Sequence, residues 1–213
     1  MYSTLLFDLD GTLTDSGRGI TNSVAYALEK FGIEYGSKKE LECFIGPPLV
    51  KTFMAKYNLS EDEGRHLVTL YREYYSVKGI FENDVYKGIP ELLKTLSDSG
   101  KKIIVATSKP EHFAIKILQH FELAKYFSVI AGATMDEKRT EKNEVIRYAI
   151  SKGDICDLSG TVMIGDREYD VLGAKEIGMD SIGVLYGYGS RTELEKAGAT
   201  YIAENVSDIL NFI

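Results

Sequence analysis

Four carboxylates stand where apolar runs give way to glycine or to a helix start: Asp8 and Asp10 in DLDG, and Asp166 and Asp170 in GDREYD. Each pair follows a strand-like run, TLLF before Asp8 and TVMIG before Asp166. In an open α/β sheet such positions lie at the carboxyl ends of strands, where ligands bind. Asp170 follows Asp166 by one helical turn, so both reach the same rim. Carboxylates brought together repel and hold their protons unless a counter-charge is present. The set therefore calls for a hard divalent cation with oxygen ligands, for which magnesium is the natural candidate. The two-residue spacing puts Asp8 and Asp10 on one face of a continuing strand, whereas a turn at Gly11 lets one of them offer its backbone carbonyl instead. A calcium loop also begins DxDG, but its twelfth position should be Glu, and counting from Asp8 that position is Gly19. A third run, KIIVAT, ends in Thr107 followed by Ser108, which the same rule brings to the same edge.

The elements that must position these residues alternate. Thr4 to Gly11 reads as a buried strand opening into a loop. From about Gly17 to Gly79 apolar residues recur at helical spacing, as in Ile20, Val24, Ala27, Leu28 and Phe31, and three or four helices without a strand are expected. Thr52 to Tyr57 adds a turn or two, and Ser60 with Glu63 fits a capping box for a helix through Tyr75. Beyond Tyr86 come a helix from Pro90 to Ser99, a strand over Lys102 to Thr107, a helix opened by Pro110, and a strand over Phe127 to Ala131. A helix over Glu141 to Ser151, a strand over Thr161 to Gly165 and a helix over Glu168 to Ile177 ended by Gly178 follow. Strands over Ser181 to Leu185 and Ala199 to Ala203 complete the alternation. Such alternation implies an α/β, Rossmann-like, doubly wound parallel sheet over 1–15 and 82–213, with 16–81 inserted as an all-helical cap.

A chain of 213 residues that is 44% apolar and 27% charged can bury a sizeable core. Its net charge of −7 argues against broad binding to nucleic acid or to an anionic membrane. An anionic substrate stays compatible, because a metal and a few local cations reverse the field inside one cleft. Cys43 and Cys156 are far apart in sequence and form no CxxC pair, which suggests neither a disulfide framework nor a thiolate zinc site and fits a reducing cytoplasm. No apolar stretch approaches the ~18 residues of a spanning helix and no leader pattern opens the chain, so a cytoplasmic protein that does not enter membranes is expected. The size is compatible with a monomer or a weak homodimer.

DLDGTLTD at Asp8 to Asp15, Thr107 closing an apolar strand, a lysine ahead of GDREYD, and GDREYD itself resemble the haloacid dehalogenase superfamily of phosphohydrolases. The likeness spans most of the chain and is closest to the branch typified by phosphoglycolate phosphatase, which inserts a helical cap after the first motif. It implies a magnesium-dependent phosphatase of small phosphate monoesters, phosphoglycolate or a nucleoside 5′-monophosphate, in which the cap excludes water and chooses the substrate. In that scheme Asp8 attacks phosphorus to form an aspartyl-phosphate and Asp10 carries the proton, while dehalogenating members lack the second aspartate. The metal would be held by Asp8, the Asp10 carbonyl, Asp166 and Asp170. Thr107 and the Ser108 backbone N–H would bind a phosphoryl oxygen, with Gly11 and Thr12 lining the loop beside it. The family's lysine is often followed by Pro-x-Pro, whereas DEKRTEKNEVIRYA leaves Lys138 and Lys142 as rivals, of which Lys142 directly precedes an amphipathic helix. Arg18 is either a substrate contact or a helix-start cation, and Gly46 with Pro47 and Pro48 either a substrate-specifying loop or a plain connector. A sugar-phosphate mutase and, from another class, a phospho-accepting signalling module are the alternatives.

Overall fold

The computed structural model of the chain describes residues 1–136 and 138–213. The chain opens with β1 (Thr4–Phe7) and the two-residue β2 (Thr14–Asp15), then enters the helices α1 (Gly17–Phe31), α2 (Leu49–Tyr57) and α3 (Glu61–Tyr75). After β3 (Asp84–Val85) it alternates: α4 (Ile89–Asp98), β4 (Lys102–Pro110), α5 (Glu111–His120), β5 (Val129–Ala133), α6 (Lys142–Lys152) and β6 (Thr161–Gly165). It closes with α7 (Glu168–Ile177), β7 (Asp180–Val184), α8 (Arg191–Ala197) and β8 (Tyr201–Ala203). Two compact units result, one of Met1–Thr14 with Val85–Ile213 and one of Asp15–Asp84.

The first unit is built on a six-stranded sheet in the order β5-β4-β1-β6-β7-β8, with every neighbouring pair parallel. Parallel strands need both faces covered, and the central ones are accordingly apolar throughout: all four residues of β1 are buried. Alternate side chains serve opposite faces. Leu6, Ile104 and Met163 form one layer against Val145, Ile146 and Ala149 of α6 and Ala174 of α7. Leu5, Phe7, Ile103, Val105, Val162 and Ile164 point the other way and are equally buried. The register places Phe7 level with both Val105 and Ile164. Residues just past these three positions therefore emerge side by side, and the strand order reverses at β1, where a ligand site belongs.

In the second unit α1 packs on α3, and α2 on α3. Helical spacing supplies the interior: Val24 and Leu28 from α1, Phe53 from α2, Leu67 and Tyr71 from α3, with the Phe44 and Phe53 rings 4.5 Å apart. The Ser60 hydroxyl accepts from the Glu63 N–H while Glu63 accepts from the Ser60 N–H at 2.8 Å, the reciprocal cap that starts α3.

Several boundaries differ from the sequence reading. The strand expected to stop at Thr107 runs on to Pro110, with its register against β5 shifting between Thr107 and Pro110. The strand expected over Phe127 to Ala131 starts at Val129, because a 3₁₀ turn over Ala124–Tyr126 delays it. Helix α8 and a 3₁₀ segment over Val206–Phe212 carry too short an apolar pattern to stand out in the sequence. No described helix is long and apolar enough to cross a membrane. Leu6→Ala removes a fully buried side chain from the central layer and should cost about 2–5 kcal/mol. Urea unfolding should show a lower midpoint with an unchanged slope.

Candidate active site

The loop after β1 is wound tightly. The Asp8 N–H donates to Ile164 O at 2.9 Å, which extends the β1–β6 ladder by one residue. Leu9 O then accepts from the N–H groups of Thr12, Leu13 and Thr14 at 3.2, 2.9 and 3.0 Å, turning the chain back on itself. Gly11 makes this possible twice over. Its φ of +82° lies in the left-handed region, and a Cβ there would stand 2.2 Å from Asp166 Oδ2.

Asp8, Asp166 and Asp170, from the ends of β1 and β6 and the first turn of α7, each present an oxygen within 4.8 Å of the others'. All three are buried. The Lys142 ammonium, from the first residue of α6, lies 2.9 Å from Asp8 Oδ1 and 2.7 Å from Asp170 Oδ1. The same ammonium donates to Ala106 O at 3.2 Å. Asp166 accepts from the Tyr188 N–H at 2.8 Å and, at 3.4 Å, from the Thr12 hydroxyl. Gly187 lets that loop approach, since a Cβ on it would meet Gly11 O at 2.3 Å and Asp166 Cβ at 2.4 Å.

The electrostatics follow from burial. Desolvation, followed by repulsion from Asp170 and Asp8, holds Asp166 well above the ordinary aspartate range. Asp170 is pushed up to about 6 by burial, with the Lys142 charge opposing the shift and Asp8 adding to it. Burial alone would pull Lys142 down, but the Asp170 and Asp8 charges outweigh it and the ammonium is raised above its usual value. A second buried pair adjoins the first: Lys109 Nζ donates to Asp10 Oδ2 at 2.6 Å, with side-chain exposures of 5% and 9%. Four buried aspartates thus face two buried lysines, so full ionisation of the carboxyl groups leaves two negative charges, which one divalent cation would cancel. Three converging buried carboxylates, with the proton affinity of Asp166 and Asp170 raised, are the donor set a hard cation takes, so the residues present fit magnesium.

Of the residues singled out in the sequence, Asp8, Asp10, Gly11, Thr12, Thr107, Lys142, Asp166 and Asp170 all lie buried at this edge of the first unit. Ser108 is half-buried beside them on β4, and Thr107 Oγ1 accepts from the Lys109 N–H at 3.2 Å. Asp10 does not contribute its carboxylate to the acidic cluster, because Lys109 engages it. Of the rival lysines, Lys142 is the buried one, while Lys138 is 83% exposed and pairs with Asp136. Arg18 is exposed and Gly46 half-buried with φ +101°, both in the second unit. Sequence reasoning missed Lys109, because the apolar run ends at Thr107 while the strand continues to Pro110. It also missed Tyr188, which acts through a backbone N–H that no side-chain pattern announces.

A family model described as haloacid dehalogenase-like hydrolase matches residues 5–184. A 5′-nucleotidase of Pseudomonas aeruginosa is 44% identical over 206 residues, 97% of this chain and 93% of that protein. The tyrosine-protein kinase PtkA of Mycobacterium tuberculosis is 39% identical over 199 residues, 93% of this chain and 67% of that protein. The crystal structure of a predicted phosphatase from Clostridium acetobutylicum superposes with a TM-score of 0.97 at 48% identity, covering 100% of this chain and 98% of that one.

A raised carboxyl pKa is stabilising only while the group holds its proton. The contribution is complete below the unfolded value near 4 and is lost as pH rises through the folded value. In EDTA, Asp166→Asn should therefore melt above the wild type at pH 8, at roughly 2–4 °C per kcal/mol relieved, and the gap should close towards pH 4. Magnesium at pH 8 should raise the wild-type melting temperature and leave that of the variant nearly unchanged.

Proposed function

We propose that this chain, which belongs to the haloacid dehalogenase-like hydrolase family, hydrolyses small phosphate monoesters through a phosphoryl group carried on Asp8. That it is a phosphatase of this family follows from the matches above; the residue roles, the metal and the substrate are our reading. The observation that carries it is the buried meeting of Asp8, Asp166 and Asp170, with the Lys142 ammonium against Asp8 and Asp170, at the switch point of the sheet.

In the first step an Asp8 oxygen attacks phosphorus as the bond to the ester oxygen breaks. Asp10 gives its proton to that leaving oxygen. In the second step water attacks the phosphorus of the aspartyl-phosphate, Asp10 takes back a proton, and the Asp8–phosphorus bond breaks to release inorganic phosphate. Lys142 neutralises charge on Asp8 and on a phosphoryl oxygen as it shifts between them. The Thr107 hydroxyl and the Ser108 N–H hold another phosphoryl oxygen. Magnesium, held by carboxylate oxygens of Asp8 and Asp166 and the Asp10 carbonyl with Asp170 behind them, would supply charge neutralisation and orient the phosphoryl group. Gly11 and Thr12 keep the loop against Asp166, and Tyr188 fixes one Asp166 oxygen, so less rearrangement is needed when the substrate arrives. A nucleoside 5′-monophosphate is the substrate class the 44% identical relative favours, with phosphoglycolate the competing one.

Phosphate release from a panel of nucleoside monophosphates, phosphoglycolate and sugar phosphates should require magnesium and stop in EDTA. Asp8→Asn, of nearly the same shape but without a nucleophile, should fold and lose turnover by at least about 10⁴-fold. Near wild-type turnover in that variant would overturn the mechanism. Isomerised sugar phosphate without released phosphate would instead select a mutase, and an aspartyl-phosphate persisting for minutes would select a signalling module.

A further inference from the structure

We propose that Lys109 is the positioning residue for Asp10: it holds one carboxylate oxygen so that the other alone meets the leaving group and the water. The inference rests on the reading of Asp10 as the proton carrier. Lys109 Nζ lies 2.6 Å from Asp10 Oδ2, with both side chains buried. Asp10 Oδ1 is equally buried, yet finds no hydrogen-bond partner among the described residues. A buried oxygen without a partner is costly, so its companion's engagement is what keeps the carboxylate in one orientation. The backbone supports the same geometry. β4 runs past Thr107 with a register shift before Pro110, and this irregular stretch carries Lys109. The Thr107 hydroxyl then accepts from the Lys109 N–H at 3.2 Å, tying the lysine's backbone to the residue assigned to the phosphoryl oxygen. Lys142 has its own partners in Asp8 and Asp170, so the two lysines divide the aspartates between them.

Division of labour makes the two lysines separable by experiment. During ester cleavage Oδ1 would deliver its proton to the departing oxygen while Oδ2 stays with Lys109. During hydrolysis of the aspartyl-phosphate Oδ1 would receive a proton from water. Para-nitrophenyl phosphate releases a phenolate that needs no proton, so only its second step depends on Asp10, whereas an alkyl phosphate depends on Asp10 in both steps.

Rapid-quench kinetics of Lys109→Met, checked for folding by thermal melting, should separate them. With the aryl ester, the first-turnover burst should stay within about threefold of wild type while steady-state turnover falls roughly 10- to 100-fold and the aspartyl-phosphate accumulates. With the alkyl ester, the first turnover should fall by a similar factor without accumulation, and KM should move by less than about threefold in both cases. Lys109→Arg, which keeps a cation against Oδ2, should recover part of the loss. If Lys109→Met does not fold, Lys109→Leu is judged by the same criteria, since it too removes the donor to Oδ2. Equal losses on both esters with a raised KM would overturn the proposal and make Lys109 a phosphate-binding cation, and unchanged kinetics would leave it a purely structural pair. Asp10→Asn is the control. If it shows no difference between the esters, the reading of Asp10 fails and the proposal falls with it; if it shows the difference and Lys109→Met does not, only the assignment of Lys109 falls.

Discussion

The Lys142 ammonium between Asp8 and Asp170 is the interaction on which the rest of the acidic edge depends. Three carboxylates converge there with almost no solvent, and burial with mutual repulsion favours the neutral forms of Asp166 and Asp170. A single cation at 2.9 and 2.7 Å offsets part of that cost for two of them. It reaches this place because α6 begins at residue 142, so the lysine projects from the first turn of a helix that packs on Leu6, Ile104 and Met163. The apolar layer and the charged cluster are thus two ends of one arrangement: the layer fixes the helix, and the helix delivers the charge.

The third carboxylate of the cluster is held by other means. Asp166 has no lysine within ion-pair distance among the described residues, and relies on the Tyr188 N–H and the more distant Thr12 hydroxyl. Those contacts require the loop after β1 and the loop after β7 to approach closely, which Gly11 and Gly187 allow by having no Cβ. A cation bound at such a site offsets the repulsion and desolvation that otherwise keep protons on these carboxyl groups, so the donor set is in place before anything binds. Preorganised charge of this kind is what phosphoryl transfer asks of a protein, because the chemistry itself needs little beyond positioning and neutralisation.

The parts whose signal is local were legible in the residues alone. The Asp8, Asp10 and Gly11 motif, the Asp166 and Asp170 box, the apolar runs of β1 and β6 and the reciprocal cap of Ser60 with Glu63 are each written within a few residues, and periodicity told strands from helices. From these the alternation, the parallel sheet and the acidic edge could be derived. Tertiary structure decided what depends on residues far apart in the chain. Between Lys138 and Lys142 it is the packing of α6 on the sheet that buries one and leaves the other exposed. The partner of Asp10 emerged only when β4 continued through its register shift, because the apolar run ends at Thr107 while the backbone pairing does not. The hold on Asp166 comes from a backbone N–H, which every residue except proline possesses, so its direction is set by the fold and carries no mark in the residue type.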